Sequence, residues 1–443
     1  MPGRWEKDAA EIRAIARKAD TSADFDALLD LAANRRCVLI GEASHGTHDF
    51  YELRAELTRR LITERGFRSV GWEADWPDAS RVHRFVTGRG SDPSADAALA
   101  DFVRFPSWMW RNTVVRDFLT WLHQHNSREP DPTRRAGIYG LDLYSMHASM
   151  EAVLRYLDKV DPPASSRARS RYACFEHFGS EPQAYGAATV YRGAEPCEEE
   201  AVAQLVELQR RATELMHRDG HIAEEEFFSA EQNARLVKNA EQYYRAMFKG
   251  RHESWNLRDT HMFETLREVI EHKADGAGVV VWAHNSHLGD ARATEMSERG
   301  ELNLGQLVRE EFGDAALLIG FSTYEGSVTA ADDWGARADR KRVRRGLSGS
   351  YEELFHEVGI PRFWLNLRER SPAIEFLSEP RLQRAIGVIY HPDTERWSHY
   401  FHSTLPKQFD VMIHLDHTRA LEPLERESVW DKGELPETYP SAL

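Results

Sequence analysis

The chain has 443 residues, 41% of them hydrophobic and 29% charged, which supplies a large core and excludes disorder, collagen and a disulfide miniprotein. Basic residues number 57 against 72 acidic ones, a formal net charge of −15 that argues against a general nucleic-acid binder. At about 150 residues per domain, the length fits two or three domains or one α/β core with insertions.

The first residues, MPGRWEKDAAEIRA, lack the apolar centre of a signal peptide. No apolar run approaches the roughly 18 residues of a membrane span, so a cytoplasmic protein with no membrane partner is expected. Short apolar runs at 37–41, 69–72, 137–141, 278–283, 316–321, 363–365, 386–390 and 411–415 predict strands. Helical patterns separate most of them, the rhythm of a mostly parallel α/β sheet flanked by helices. Parallel strands are buried on both faces and read as continuous apolar runs, as these do.

Between 143 and 262 the pattern turns helical throughout, with long amphipathic helices predicted at 201–216 and 231–248. The division that follows is an α/β catalytic core of 1–144 and 251–443 and a large all-helical insertion or lid at 145–250. Because the insertion leaves directly after Asp142, it is expected to cover the carboxyl rim of the sheet and line a pocket there. The basic run at 340–345 predicts a solvated loop beside Asp332, Asp333 and Asp339. From about Asp416 an acidic, proline-containing segment is expected to wrap the surface. Cys37, Cys174 and Cys197 make no disulfide framework, and Cys37 reads as a small core residue of its strand.

Ligands of a parallel α/β sheet bind beyond the carboxyl ends of its strands. The residues after the predicted strands therefore matter most. The first strand is followed by Glu42, Ser44, His45 and Gly46, the second by Glu73, the third by Asp142. The fourth is followed by His284, Asn285, Ser286 and His287, and the fifth by Ser322, Thr323 and Tyr324. One carboxylate or imidazole alone reads as a cap or a structural residue. Several on one rim point to acid–base or metal chemistry.

The following helices add cues. Arg54 falls inside the apolar stripe of Phe50, Leu53, Leu57 and Leu61, which is costly unless a carboxylate such as Glu42 or Glu73 meets it. Arg258 and Asp259 lie on the N-terminal extension of the stripe Met262, Leu266, Val269 and Ile270. Asp259 reads as a helix-dipole residue, while Arg258 and His261 are second-tier site candidates. Trp108 and Trp110, in the aromatic run 105–112, read as a wall for an apolar ligand or as plain core. There is no G-x-S-x-G elbow, P-loop or dinucleotide glycine fingerprint, and Gly46 permits a tight turn.

Three readings of this rim stay open. One is a hydrolase with a histidine-activated water and no cofactor. Another is a metal-dependent hydrolase, with Glu42, His45, Glu73, His284 and His287 as O and N ligands for a divalent metal. The last is a binding protein holding an apolar ligand under the helices.

The stretches LIGEASHGTHDFYELRAELTRRLI, GWEADWP, WMWRNTVV, YGLDLYSM, SWNLRDTHM, VWAHNSHLGD and LIGFSTYEG resemble the erythromycin esterase family, in family order from about 37 to 415. The resemblance implies hydrolysis of a small-molecule ester, with macrolide lactones the substrate of the antibiotic-resistance members. It implies a general base at His45 and further active-site residues at Glu42, Arg54, Glu73, His284 and His287. Some members of the family are named only for association with exopolysaccharide synthesis.

Overall fold

A computed structural model describes residues 5–178, 181–219, 223–272 and 276–425. The strands in chain order are β1 (Arg17–Lys18), β2 (Cys37–Ile40), β3 (Ser69–Asp75), β4 (Gly137–Asp142), β5 (Val279–Trp282), β6 (Ala316–Ala331), β7 (Ala338–Val343), β8 (Arg362–Asn366), β9 (Arg381–Arg384), β10 (Tyr400–Ser403) and β11 (Val411–Thr418). Nine of them form one sheet in the order β1-β8-β11-β6-β2-β5-β3-β4, with β7 on β6, and β9 pairs with β10 separately. From β11 to β4 every neighbouring pair is parallel. The expected mostly parallel α/β sheet is therefore found.

Side-chain alternation divides the core between the two faces. Cys37 and Leu39 of β2, with Val279 and Val281 of β5, share one apolar cluster. Val38 and Ile40, with Val280 and Trp282, share the other. Both faces are covered, which explains the unbroken apolar runs. The helix His48–Arg65 packs on the second face and stops at Gly66, whose φ of 73° is left-handed.

Among the described residues, 146–272 holds helices and no strand. The predicted helix 201–216 is two, Glu198–Arg210 and Ala212–Asp219, and 231–248 belongs to a longer one, Ala223–Ala246. This bundle shares the first face's apolar cluster, through residues such as Met150, Leu236 and Tyr243. It meets the rim where the Tyr244 hydroxyl donates to the Tyr144 carbonyl at 2.8 Å.

Several expectations are corrected. Cys174 and Cys197 form a disulfide, with Cα atoms 6.0 Å apart, because the bundle brings one helix end beside another helix start; a count of cysteines could not show this. The stretch 386–390 makes isolated bridges at Ile386 and Ile389 rather than a strand. The basic run 340–345 is not a loop. β6 continues well past Phe321, and Ala338–Val343 pairs antiparallel with that extension. The segment 363–365 is a strand but runs antiparallel to β11. Past β11, Ala420 and Pro423 bridge to Thr47 and Asn112, so the C-terminal segment does wrap the surface as far as 425. The rest of that tail lies outside the described residues.

Candidate active site

The order of the sheet places β5 between β2 and β3, so the residues after these three strands share one rim. Glu42 leaves β2 and meets two partners. Its Oε1 lies 3.0 Å from Nδ1 of His45, three residues on, and its Oε2 lies 3.0 Å from the Arg54 guanidinium. All three side chains are buried. Arg54 reaches this point from the helix that follows and lies over the rings of Tyr51 and Trp282. The arginine inside the apolar stripe is thus paired, and its partner is Glu42. Gly46 lies in the turn at 45–46, between the bridges at Ser44 and Thr47, and serves a second purpose there. Its missing side chain lets Thr329 of β6 approach, since a Cβ would meet the Thr329 carbonyl oxygen at 1.8 Å.

Glu73, within β3, is the centre of a second network. Its Oε1 accepts from Arg258 at 2.9 Å and faces Nε2 of His287 at 3.1 Å. Its Oε2 accepts from the His284 backbone N–H at 2.8 Å. Burial favours the protonated acid, but His287, His45 and Arg258 outweigh it and hold Glu73 well below the usual carboxylate range. The second guanidinium edge of Arg258 forks onto Asp142, at 3.0 and 2.7 Å. Burial works against the charge of Arg258 too, yet Asp142 and Glu73 raise it well above its ordinary value.

His284 begins the short helix after β5. The Ser286 backbone N–H donates to its Nδ1 at 3.2 Å, which puts the proton of the neutral ring on Nε2. Burial, with His45 beside it, pushes His284 well below the histidine range, so it stays neutral. The His45 and His284 rings lie 4.8 Å apart.

His287 is the opposite case. Its ring is stacked on Trp255, with Nδ1 2.9 Å from Asp259 and Nε2 facing Glu73. Burial alone would depress it, yet Asp259 and Glu73 push it up to about 9. His287 is therefore an imidazolium at neutral pH, held between two carboxylates. A consequence is testable. The folded state binds this proton more tightly than the unfolded state, whose histidine titrates near 6.5. The stabilisation is full below about pH 6.5 and is lost as the pH rises through about 9. Denaturant midpoints measured across that window should fall more steeply for wild-type protein than for His287→Asn, and equal slopes would refute the imidazolium.

Asp259 was read as a dipole residue, and the structure corrects this. It lies well inside the helix Arg251–His272, fully buried, and accepts from the Leu304 backbone N–H at 2.7 Å as well as from His287. It fixes the ring that faces Glu73. Neighbouring helix positions point about 100° apart, so adjacency to Arg258 did not mark it, and only the packing of the helix brings it to His287.

A cleft opens between these networks. Its walls include His45, Glu73, Asp75, Asp78, Trp110, Asp142, Tyr144 and Arg258, with 102–107 as the outer side. Its volume is about 60 Å³. No residue of 145–250 is among these walls, so the expected lining role is not seen among the described residues. Trp110 lines the cleft and stacks on Trp72 at 4.5 Å. Trp108 faces a neighbouring cavity of about 460 Å³, and Ser107 borders both. Two candidates stand apart. His261 is buried outside the cleft walls, between Asn239 and Thr265 and beside Asp142, and burial drops it to about 4. Tyr324 lies on the continued strand β6, stacked on His356, because β6 does not end where the apolar run does. Sequence reading passed over Asp75, Asp78, Arg104 and Tyr144. Asp75 closes β3 and accepts the Tyr144 and Ser145 backbone N–H groups at 2.7 and 3.0 Å.

Among the described residues no group of three or more His, Cys, Asp or Glu side chains is placed to hold a metal ion. Glu42 and Glu73 already face cations of the chain itself, and both nitrogens of His287 are engaged.

Comparison with known proteins agrees with this fold. The erythromycin esterase profile matches residues 62–418, which starts downstream of Glu42, His45 and Arg54. The erythromycin esterase type II of Escherichia coli is 19% identical over 433 residues, 94% of this chain and 98% of that protein. A Bacillus cereus protein of solved structure superposes with a TM-score of 0.78 at 19% identity, over 95% of this chain and 100% of the other. A succinoglycan biosynthesis protein gives 0.76 at 18% identity, over 95% and 99%. A mutant of the erythromycin esterase EreC, in its open conformation, gives 0.67 at 15% identity, over 92% and 97%. With the profile spanning most of its length and the fold shared end to end, this chain belongs to the erythromycin esterase family.

Proposed function

We propose that this protein hydrolyses an ester or lactone bond of a small molecule, using His45 to activate water and needing no metal. The observation that carries the reading is the buried Glu42–His45 pair at 3.0 Å, set at the wall of the cleft. Glu42 accepts a hydrogen bond from the Nδ1–H of His45, which leaves the Nε2 lone pair as the base. Water held there loses its proton to Nε2 as its oxygen attacks the carbonyl carbon. Arg54 holds the other oxygen of Glu42, which fixes the carboxylate against His45 to steady the imidazolium that forms. The neutral His284 supplies a donor for the developing oxyanion, and the cations His287 and Arg258 place positive charge beside it. No serine or cysteine nucleophile enters the scheme.

In this reading 1–144 and 251–443 form the catalytic core, with 145–250 as its helical cover. Trp110 and Trp108 guide the substrate, and Asp142 positions Arg258. Ligand pockets for drug-sized molecules run to roughly 300–1,000 Å³. The cleft itself holds only the reacting bond, and the remainder of a macrolide or other ester would extend past Ser107 into the larger cavity. Macrolide hydrolysis, and with it antibiotic resistance, is the substrate assignment the family name suggests. The succinoglycan relative keeps a polysaccharide-linked ester in the screen.

The test is incubation of pure protein with macrolides and simpler lactones and esters, followed by mass spectrometry for the gain of one water. Turnover with no bound metal after purification supports the reading. Failure to hydrolyse any of them, or turnover that tracks metal content, overturns it.

A further inference from the structure

Four carboxylates line the cleft, and three of them are already engaged. Glu73 meets Arg258 and His287, and Asp142 takes the fork of Arg258. Asp75 accepts two backbone N–H groups and lies 3.4 Å from Arg104. Asp78 is different. It stands in the first turn of the helix Trp76–Val86, lines the cleft, and makes no hydrogen bond or ion pair with the described residues. A polar side chain that faces a reaction cleft and satisfies nothing among the described residues is available to a substrate.

Hydrolysis with His45 as base leaves one need unmet. The tetrahedral intermediate must expel an alkoxide, which is a poor leaving group unless protonated as the bond breaks. His45, Glu42, His284 and the Glu73 network are committed to water and oxyanion. We propose that Asp78 is the general acid of this reaction, donating its proton to the departing alkoxy oxygen in the cleft it shares with His45. The inference rests on the esterase reading above.

The step balances. The carbonyl carbon–alkoxy oxygen bond breaks, and its electron pair goes to the alkoxy oxygen. That oxygen takes the proton of the Asp78 carboxyl group and leaves as an alcohol. The water proton held on His45 then returns to the Asp78 carboxylate through solvent in the cleft. One ester and one water give one acid and one alcohol.

The surroundings suit an acid that keeps its proton. Burial, with the carboxylates of Asp75 and Asp101 beside it, pushes Asp78 up to about 8, against the pull of Arg104. These charged groups face it from β3 and from the 101–104 segment.

The experiment compares the ethyl ester and the p-nitrophenyl ester of one acid. Nitrophenolate leaves without help, whereas ethoxide needs a proton. Asp78→Asn should lower kcat/KM on the ethyl ester by about 10²–10⁴-fold and on the nitrophenyl ester far less. For wild-type protein the ethyl-ester rate should decline as the pH rises past about 8, and Asp101→Asn should move that decline to lower pH by removing a repelling charge. Should Asp78→Asn fail to fold, as judged by its thermal melt, the Asp101→Asn profile decides. Equal losses on both esters, or a decline that Asp101→Asn leaves in place, overturns the inference and leaves the esterase reading standing. Wild-type protein inert toward both esters removes both.

Discussion

Replacement of His45 by Asn is expected to lower kcat/KM for ester hydrolysis by about 10²–10⁴-fold while the protein stays folded. Asn keeps a hydrogen-bonding group near Glu42, so the Glu42–Arg54 pair survives and no large cavity opens. What is lost is the nitrogen that takes the water proton. Turnover of the ester found in the screen, together with far-ultraviolet circular dichroism and a melt, separates the possibilities. A variant of near wild-type rate removes His45 as the base. A variant that no longer folds makes His45 a structural residue.

The largest loss of stability is expected from Arg258→Met. One guanidinium serves Asp142 and Glu73 and packs over the Tyr144 ring. Methionine fills part of the volume but leaves two buried carboxylates without their shared cation. Breaking one side of a buried ionic network costs about 3–5 kcal/mol, because the remaining charges stay desolvated. Arg258→Lys keeps the charge but loses the fork, and should fall between wild type and Arg258→Met. Denaturant unfolding of the three proteins at pH 7 checks the order. A cost below about 1 kcal/mol for Arg258→Met, the scale of an exposed pair, would mean the network is not load-sharing in the folded state.

The rim was legible because parallel strands announce their ends. Each apolar run stops at a charged or polar residue, and Glu42, His45, Glu73, Asp142, His284 and His287 all occupy such stops. Arg54 was legible for another reason, as a charge inside an apolar stripe. Tyr324 failed by the same rule that succeeded elsewhere, since β6 runs on through polar residues once β7 pairs with it. The 340–345 run is rich in charge, and charge alone does not prevent a strand at a sheet's outer extension. Asp259 and His261 sit two residues apart on one helix, and only the packing of that helix decides that the first faces His287 and the second faces Asn239. The disulfide depended on tertiary approach in the same way.

The order of the strands also dictates when this site can exist. β2 and β3, which carry Glu42, His45 and Glu73, do not pair with each other; each pairs with β5. Some 200 residues separate β3 from that shared neighbour, and most of them form helices with local contacts. On a ribosome adding residues from the amino end, the bundle can emerge and fold while β2 and β3 still wait with open edges. Closing so long a loop is a slow, entropically costly event. The candidate site is therefore assembled late in folding, in one step, when β5 slots into the gap and delivers His284 and His287 to Glu42 and Glu73 on strands made long before.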